Sequence, residues 1–291
     1  MTIDTRIPPL SEPYREFELD GWERAAAHYA DSFERATAPF VEPLLDALGV
    51  GERCDVLDLA CGTGRLAERA AARGAHVIGA DFSANMLRHA QARAPGSAYV
   101  RADAERLPFA AQSFDAVAIN FGVHHFPFPL RALAEAQRIL RQGGRLAFTI
   151  WAAPDVNPVQ KLVFDAIRAV GAATPALPPP PGGGVTDGAT CRRLLRQAGF
   201  VSSQIEIAEV QALLSFASGR ALIDMLREGT VQTAAVINAQ APERMGAIEA
   251  EIARSIERYR DGDVLRVPAL ALLVSAAKTE GVTLRGEPVE P

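Results

Sequence analysis

The chain has 291 residues, of which 48% are hydrophobic and 22% charged, a composition typical of a globular protein with one large domain or two smaller ones. Its formal net charge is −5 and its basic residues are scattered, which excludes the basic stripe that a nucleic-acid-binding surface requires. The cysteines Cys54, Cys61 and Cys191 lack paired spacing and therefore indicate reduced thiols rather than disulfides or a metal site.

The amino-terminal residues 1–16 are polar and contain prolines, whereas a secretory leader has a basic stretch followed by an apolar one. The sequence also lacks an uninterrupted apolar run of about 18 residues, the length that a membrane-spanning helix needs. We therefore expect a cytoplasmic protein without a membrane span, acting on small neutral or apolar molecules.

Two helices are predicted ahead of the first strand. Over residues 21–38, apolar residues recur at three- and four-residue spacings, which is the pattern of an amphipathic helix. Its aromatic side chains, which include Trp22 and Tyr29, are explained either by packing or by contact with a ligand. A second helix is predicted over residues 40–48, with Gly49 as its C-cap.

From residue 54 to residue 149, short apolar segments alternate with helix-like ones. Such alternation predicts a parallel sheet with helices on both of its faces. The predicted strands lie at 54–57, 76–80, 98–101, 114–120 and 145–150, and the predicted helices at 65–73, 83–93 and 130–141.

Beyond Trp151 the pattern predicts helices at 159–170 and 191–198, a strand at 200–210, a helical segment at 218–260 and a final strand at 267–277. The prolines and glycines of residues 175–184 exclude regular structure. We interpret that segment as a surface loop near the mouth of a site, or as a Pro-x-x-Pro ligand for a partner. The tail from Lys278 is predicted to be disordered.

The stretch from Asp58 to Gly64 lies between the first predicted strand and the helix that follows it. Its glycines allow a tight turn and a close approach of backbone to a ligand. The amide groups at the start of the next helix favour an anion. The turn is therefore a candidate binding loop, although a glycine-rich turn that merely connects two elements is the alternative.

Polar side chains follow the first four predicted strands, at Asp58, Asp81, Asp103 and Asn120. In an open parallel sheet, ligands bind beyond the carboxyl ends of the strands. Asp81 comes nineteen positions after Gly62, where a carboxylate can accept hydrogen bonds from ribose hydroxyls. Asp103 could accept a hydrogen bond from an adenine amino group. A helix N-cap is the alternative role for each acid.

The Gly62-x-Gly64-x-x-Ala67 spacing also satisfies the dinucleotide-binding pattern, so an NAD(P)-dependent oxidoreductase is an alternative. Against it, none of the four tyrosines has a lysine four residues on, which excludes the catalytic pair of short-chain dehydrogenases. The acids at 58 and 103 are also left unexplained by a dehydrogenase.

Four blocks of sequence, in this order, carry a resemblance to a known family. They are residues 56–64 (Val-Leu-Asp-Leu-Ala-Cys-Gly-Thr-Gly), 79–87 (Gly-Ala-Asp-Phe-Ser-Ala-Asn-Met-Leu), 103–109 (Asp-Ala-Glu-Arg-Leu-Pro-Phe) and 139–146 (Ile-Leu-Arg-Gln-Gly-Gly-Arg-Leu). The set resembles the class I S-adenosylmethionine-dependent methyltransferases. Within them it is most similar to the small-molecule branch that includes ubiquinone- and menaquinone-biosynthesis enzymes. The similarity runs from about Trp22 to Trp151.

The resemblance implies a Rossmann-like, doubly wound α/β sheet of seven strands, mostly parallel with the last strand antiparallel and inserted between the fifth and sixth. It also implies S-adenosyl-L-methionine as methyl donor, with S-adenosyl-L-homocysteine as product. The turn would hold the methionine part, Asp81 the ribose, Asp103 and Ala104 the adenine edge. The implied cofactor-binding residues are Tyr29, Asp58, Ala60, Gly62, Gly64, Asp81, Phe82, Met86, Asp103, Ala104 and Asn120.

The segment after the fourth strand, Asn120-Phe121-Gly122-Val123-His124-His125, should border the methyl acceptor. Enzymes that methylate nucleobase amines or glutamine amides have an Asn/Asp-Pro-Pro-aromatic signature here, which this chain lacks. His124 or His125 could act as general base, because an imidazole titrates near neutrality; packing is the alternative. Adjacent side chains on an extended chain point to opposite sides, so at most one would face the acceptor.

We thus expect one α/β domain with an amino-terminal helical cap (1–50), a cofactor-binding core (51–152), its continuation (153–210), a helical lid insertion (211–264) and a final strand with tail (265–291). The insertion would cover the site, and a homodimer face is its competing role. The predicted activity is methyl transfer to oxygen, carbon or nitrogen of a small, rather apolar molecule, with no metal. A protein that binds S-adenosylmethionine without methylating is the remaining alternative.

Overall fold

The computed structural model describes residues 13–173 and 176–279. The helices are α1 (Pro13–Tyr29), α2 (Glu34–Thr37), α3 (Val41–Leu48), α4 (Arg65–Ala72), α5 (Ala84–Arg93), α6 (Pro129–Ile139), α7 (Pro158–Val170), α8 (Gly188–Gln197), α9 (Gly219–Gly229), α10 (Gln232–Asn238) and α11 (Pro242–Ile256). The strands are β1 (Asp55–Leu59), β2 (His76–Asp81), β3 (Ala98–Arg101), β4 (Phe114–Asn120), β5 (Leu140–Trp151), β6 (Ile205–Phe216), β7 (Arg260–Asp261) and β8 (Val264–Ala277).

The strands form one sheet in the order β3-β2-β1-β4-β5-β8-β6. Strands β1 to β5 pair in parallel, whereas β8 runs antiparallel between β5 and β6. The predicted doubly wound sheet, with its last strand inserted antiparallel, is therefore confirmed. In addition to the seven expected strands, the two-residue β7 pairs with the start of β8.

Both faces of the central strands are buried, as an apolar parallel sheet requires. On one face, Leu57 packs in a cluster with residues of α6 and α8. On the other, Val56 packs with α3 and α4. A third cluster contains residues of α7, α9 and α11 together with the carboxyl-terminal end of β6 and the amino-terminal half of β8. Because the helices cover the faces, the ends of the strands are left to bind ligands.

Helix α1 begins at Pro13 and ends at Tyr29, so the predicted helix over 21–38 is wrong at both ends. Proline suits the first turn of a helix, where its missing amide proton costs nothing. Gly21 lies inside α1. A Cβ at this position would come within 2.4 Å of the Val231 side chain, so the packing requires glycine. The helix ends where the His28 carbonyl accepts both the amide (2.9 Å) and the hydroxyl (2.8 Å) of Ser32.

Strands β5 and β6 also differ from their predicted bounds. Strand β5 begins at Leu140 and runs through Gly143, whose φ of 80° explains why the sequence pattern breaks there. Strand β6 lies at Ile205–Phe216 rather than at 200–210, since Phe200 instead packs into the core directly after a turn at Gly199.

The segment predicted to be helical over 218–260 consists of α9, α10 and α11, which turns interrupt. The described part of the proline- and glycine-rich loop lies beside the site, where the Gly182 amide donates to the Pro127 carbonyl at 2.8 Å. Lys278 is buried and its Nζ donates to the Leu140 carbonyl at 2.8 Å, so the predicted disorder does not begin there. The tail from residue 280 lies outside the described residues.

Among the helices of the described ranges, none combines the length and the apolar character needed to cross a bilayer.

Candidate functional site

The turn after β1 is built from residues in left-handed conformations. Ala60, Gly62 and Gly64 have φ values of 56°, 52° and 80°. At Gly64, a Cβ would also come within 2.9 Å of the Ala90 backbone on α5, so glycine is required there by packing as well as by conformation. The turn leads directly into α4, which begins at Arg65 and presents its first amides towards the ends of the strands.

Asp58 lies behind this turn and does not line the cleft described below. Its Oδ2 accepts the amide of Ala67 in the first turn of α4 at 3.0 Å. The side chain is 1% exposed, and burial raises the pKa of its carboxyl group to about 8. The sequence assigned Asp58 to cofactor contact, but the structure places it as a support for the turn and the helix.

Asp81, at the end of β2, holds the turn from the other side. Its Oδ2 accepts the Gly62 amide and its Oδ1 the Ser83 amide, both at 2.9 Å. Burial raises the pKa of Asp81 to about 6, although these hydrogen bonds favour the ionised form. Unlike Asp58, it faces the cleft.

A cleft opens beyond the carboxyl ends of β1, β2 and β4, as expected for this type of sheet. Most of the predicted cofactor-binding residues line it, namely Tyr29, Ala60, Gly62, Asp81, Phe82, Met86, Asp103, Ala104 and Asn120, together with His125. Gly64 and His124 are not among its lining residues.

Helix α1 covers the side of this cleft that Asp103 lines. Arg15 places Nη1 2.5 Å from Asp103 Oδ2 and Nη2 3.0 Å from Glu105 Oε1. Asp103 also accepts the Glu105 amide at 3.0 Å. Arg15, Glu18 and Trp22 line the cleft. The sequence pattern left Trp22 open between packing and ligand contact, and Arg15 and Glu18 were not predicted as site residues. Their i, i+3 and i+7 spacing on one helix face is the signal that could have found them.

Two further predicted residues are fixed by neighbours. Asn120 donates from Nδ2 to the Thr37 carbonyl at 3.3 Å and accepts the Thr149 hydroxyl at 2.9 Å. The Tyr29 hydroxyl bonds to Thr37 Oγ1 at 3.2 Å, and burial raises the pKa of Tyr29 to about 12. Both side chains therefore present a fixed, uncharged surface to the cleft.

The two histidines lie in a short 3-10 helix, Val123–His125, so the expectation of an extended chain with side chains on opposite sides is wrong. Their ring centroids are 4.2 Å apart. Burial, with a smaller effect of neighbouring His125, holds the pKa of His124 well below its usual value, and His124 is neutral.

His125 contacts a buried carboxylate. Its Nδ1 lies 2.9 Å from Oε2 of Glu18, which is 0% exposed. Glu18 also accepts from Trp22 Nε1 at 3.0 Å and from Gln232 Nε2 at 2.8 Å. Burial alone would raise the pKa of Glu18, but His125 and the hydrogen-bond donors outweigh it and lower that pKa. Glu18 is therefore ionised at neutral pH.

A second cavity of ≈ 370 Å³ adjoins the cleft, and Trp22 and His125 line both. This volume lies in the range of roughly 300–1,000 Å³ that small-molecule sites occupy. Its walls are formed by apolar residues such as Phe33, Trp151 and Leu226 and by uncharged polar residues such as Gln232. Within the described ranges, no Asp, Glu, Lys or Arg lines it.

The residues that line the first cleft suit S-adenosylmethionine. Carboxylate oxygens at the end of β2 suit ribose hydroxyls, and the apolar Phe82 and Met86 beside them suit a base. The left-handed turn lines the cleft with only two small residues, Ala60 and Gly62. The residues present are therefore compatible with this cofactor.

Comparison with known proteins agrees with this fit. Residues 57–148 match the family model described as a methyltransferase domain. Demethylmenaquinone methyltransferase of Beutenbergia cavernae is 44% identical over 120 residues, which are 40% of this chain and 49% of that enzyme. The chain thus spans about half the length of this curated relative. The matched part of the chain is similar to the class I S-adenosylmethionine-dependent methyltransferases.

Solved structures share the fold. The YcgJ protein of Bacillus subtilis has a TM-score of 0.54 at 19% identity, covering 83% of this chain and 98% of its own. Phosphoethanolamine N-methyltransferase 2 of Haemonchus contortus, in complex with S-adenosyl-L-methionine, has a TM-score of 0.51 at 18% identity, covering 83% and 53%. The sheet and its glycine turn therefore have the fold of these proteins, one of which is in complex with S-adenosyl-L-methionine.

Proposed function

We propose that this protein transfers a methyl group from S-adenosylmethionine to a small, uncharged and largely apolar molecule. The observation that carries the proposal is the pair of adjoining cavities that share Trp22 and His125. The first has the donor set that suits the cofactor, and the second has the size and lining that suit an acceptor. A ligand in each would meet at the shared wall.

The proposed cofactor contacts follow the cleft. Asp81 binds the ribose hydroxyls, Phe82 and Met86 border the adenine, and the Asp103–Ala104 segment recognises its edge. The turn at Gly62 faces the methionine part, while Asp58 and Gly64 support that turn from behind. When bound, the cofactor supplies a methyl group already activated on a sulfonium, so the protein contributes mainly alignment and exclusion of water.

The lining of the second cavity favours an uncharged acceptor. A buried ion without a partner costs several kcal/mol or more, and no acidic or basic side chain among the described residues faces this cavity to offset it. Apolar rings of Phe33 and Trp151 offer area for an apolar skeleton. The name of the Beutenbergia relative, a demethylmenaquinone methyltransferase, supports including quinones among the acceptors to be tested.

The proposal is tested by incubating the purified protein with labelled methyl donor and a panel of phenols, quinones, fatty acids and amines. We expect label in a neutral acceptor. In parallel, Asp81→Ala should abolish binding of S-adenosylmethionine in calorimetry, whereas Asp263→Ala, at an exposed turn, should leave it unchanged. Near-normal affinity in Asp81→Ala would contradict the cofactor assignment. Bound cofactor without any labelled product would favour the non-methylating alternative.

A further inference from the structure

We propose that the acceptor atom is the oxygen of a hydroxyl group, and that Glu18 is the positioning residue that prepares His125 to take the hydroxyl proton. The proposal rests on the proposed function, since it names the acceptor class of the same site. It assigns a role to a residue of α1 that belongs to none of the sequence blocks of the methyltransferase core.

The contact between Glu18 and His125 determines which ring nitrogen carries the proton. The Glu18 carboxylate is ionised and can only accept hydrogen bonds. His125 Nδ1, at 2.9 Å, must therefore be the protonated nitrogen. In the neutral imidazole, Nε2 then has its lone pair free to act as a base.

The ring is also fixed in orientation. The Trp22 indole packs edge-on against it, with centroids 5.0 Å apart and an interplanar angle of 87°. The indole Nε1 donates to the same carboxylate oxygen that faces His125. Glu18 thus holds both side chains that form the wall between the two cavities.

The side chains around Glu18 hold its carboxylate towards His125. Its other partners among the described residues are neutral donors: Trp22, Gln232 and Tyr14. Arg15, one turn earlier on α1, is paired instead with Asp103 and Glu105. The Glu18 carboxylate is therefore held in place by neutral donors while it accepts the hydrogen bond from His125 Nδ1.

This arrangement suits a hydroxyl acceptor better than an amine. An alkyl amine enters as a cation at neutral pH, and the second cavity offers it no carboxylate within the described ranges. A hydroxyl enters uncharged and needs only one base. In the step, the O–H proton passes to Nε2 of His125, the bond from oxygen to methyl forms as the sulfur–methyl bond breaks, and that electron pair stays on sulfur. The imidazolium later releases its proton to solvent.

The first test needs no acceptor, and its only variant serves to assign the signal of one ring. Nitrogen-15 NMR of the histidine rings in the full chain, assigned with His125→Gln, reports which nitrogen of His125 carries the proton. We expect Nδ1 to carry the proton of the neutral imidazole and Nε2 to be free. A proton on Nε2 would overturn the role of Glu18, whether or not the protein binds S-adenosylmethionine.

The second test uses the first acceptor that the panel identifies. Glu18→Gln keeps the shape of the side chain but replaces the carboxylate that faces His125 Nδ1 with an amide. We expect kcat to fall by on the order of 100-fold. The calorimetric affinity for S-adenosylmethionine should stay within about twofold. Glu16→Gln, exposed on the same helix, is the matched control and should change neither. Label on nitrogen or carbon, or an unchanged kcat in Glu18→Gln, would overturn the inference. If the proposed function itself is wrong, the unmodified protein will not bind S-adenosylmethionine.

Discussion

At the scale of single residues, the burial of Asp58 behind the glycine turn makes the free energy of unfolding depend on pH. Its pKa is raised to about 8 from an ordinary 3.8, chiefly by burial. Between these values the unfolded chain carries the carboxylate and the folded protein the acid, so unfolding releases a proton. The free energy of unfolding should therefore fall as the pH rises through this window.

Replacing Asp58 by Asn should remove this dependence while keeping an acceptor for the Ala67 amide. We expect the unmodified protein to lose on the order of 2 kcal/mol between pH 6 and pH 8, relative to Asp58→Asn. Urea unfolding at both pH values measures the difference. Asp263→Asn, at an exposed position, is the control, and parallel pH curves for Asp58→Asn and the unmodified protein would contradict the assignment.

The sequence predicted the site residues that a local pattern places at the cleft. It did not predict those that reach the cleft through contacts between distant parts of the chain. Asp81 and Gly62 were found because a strand, a turn and a helix follow one another along the chain. Glu18 meets His125 across 107 positions. Nothing near either residue in sequence indicates that contact, which depends on how α1 docks.

At the scale of elements, α1 was placed incorrectly because Gly21 was taken as its start. Intrinsic propensity disfavours glycine inside a helix. Here the packing against Val231 requires it, and this tertiary reason is invisible in the sequence. The strands β1, β2 and β4 were located well since largely buried, apolar strands bounded by turns have a strong local pattern. Strand β5 extends further than predicted because a glycine bulge interrupts its pattern.

The docking of α1 depends on Arg15, whose side chain is 12% exposed and bridges Asp103 and Glu105. Arg15→Met removes the cation and leaves two largely buried carboxylates together. We expect a loss of roughly 3 kcal/mol in the free energy of unfolding, measured by urea denaturation. Arg220→Met, whose side chain is 55% exposed beside Asp224, should cost only a small fraction of that loss. Equal losses in the two variants would show that the Arg15 pairs contribute no more than a surface ion pair.

At the scale of the whole molecule, the site lies where three independently packed parts meet. The parallel half of the sheet supplies the turn and the acids, α1 supplies Arg15, Glu18 and Trp22, and α10 supplies Gln232. A ligand in the first cleft would touch the sheet and α1 together. Binding should therefore stabilise both against opening, not only the strand ends.

S-adenosylhomocysteine at about 100 times its dissociation constant should raise the free energy of unfolding by about 2.7 kcal/mol, and the melting temperature by roughly 5–10 °C. Hydrogen exchange should slow in α1 as well as at the ends of β1, β2 and β4, because the ligand bridges them. NAD at the same concentration is the matched control, since it competes for the same type of glycine turn. Equal stabilisation by NAD would contradict the assignment of the cleft, and protection limited to the strands would show that α1 does not close over the cofactor.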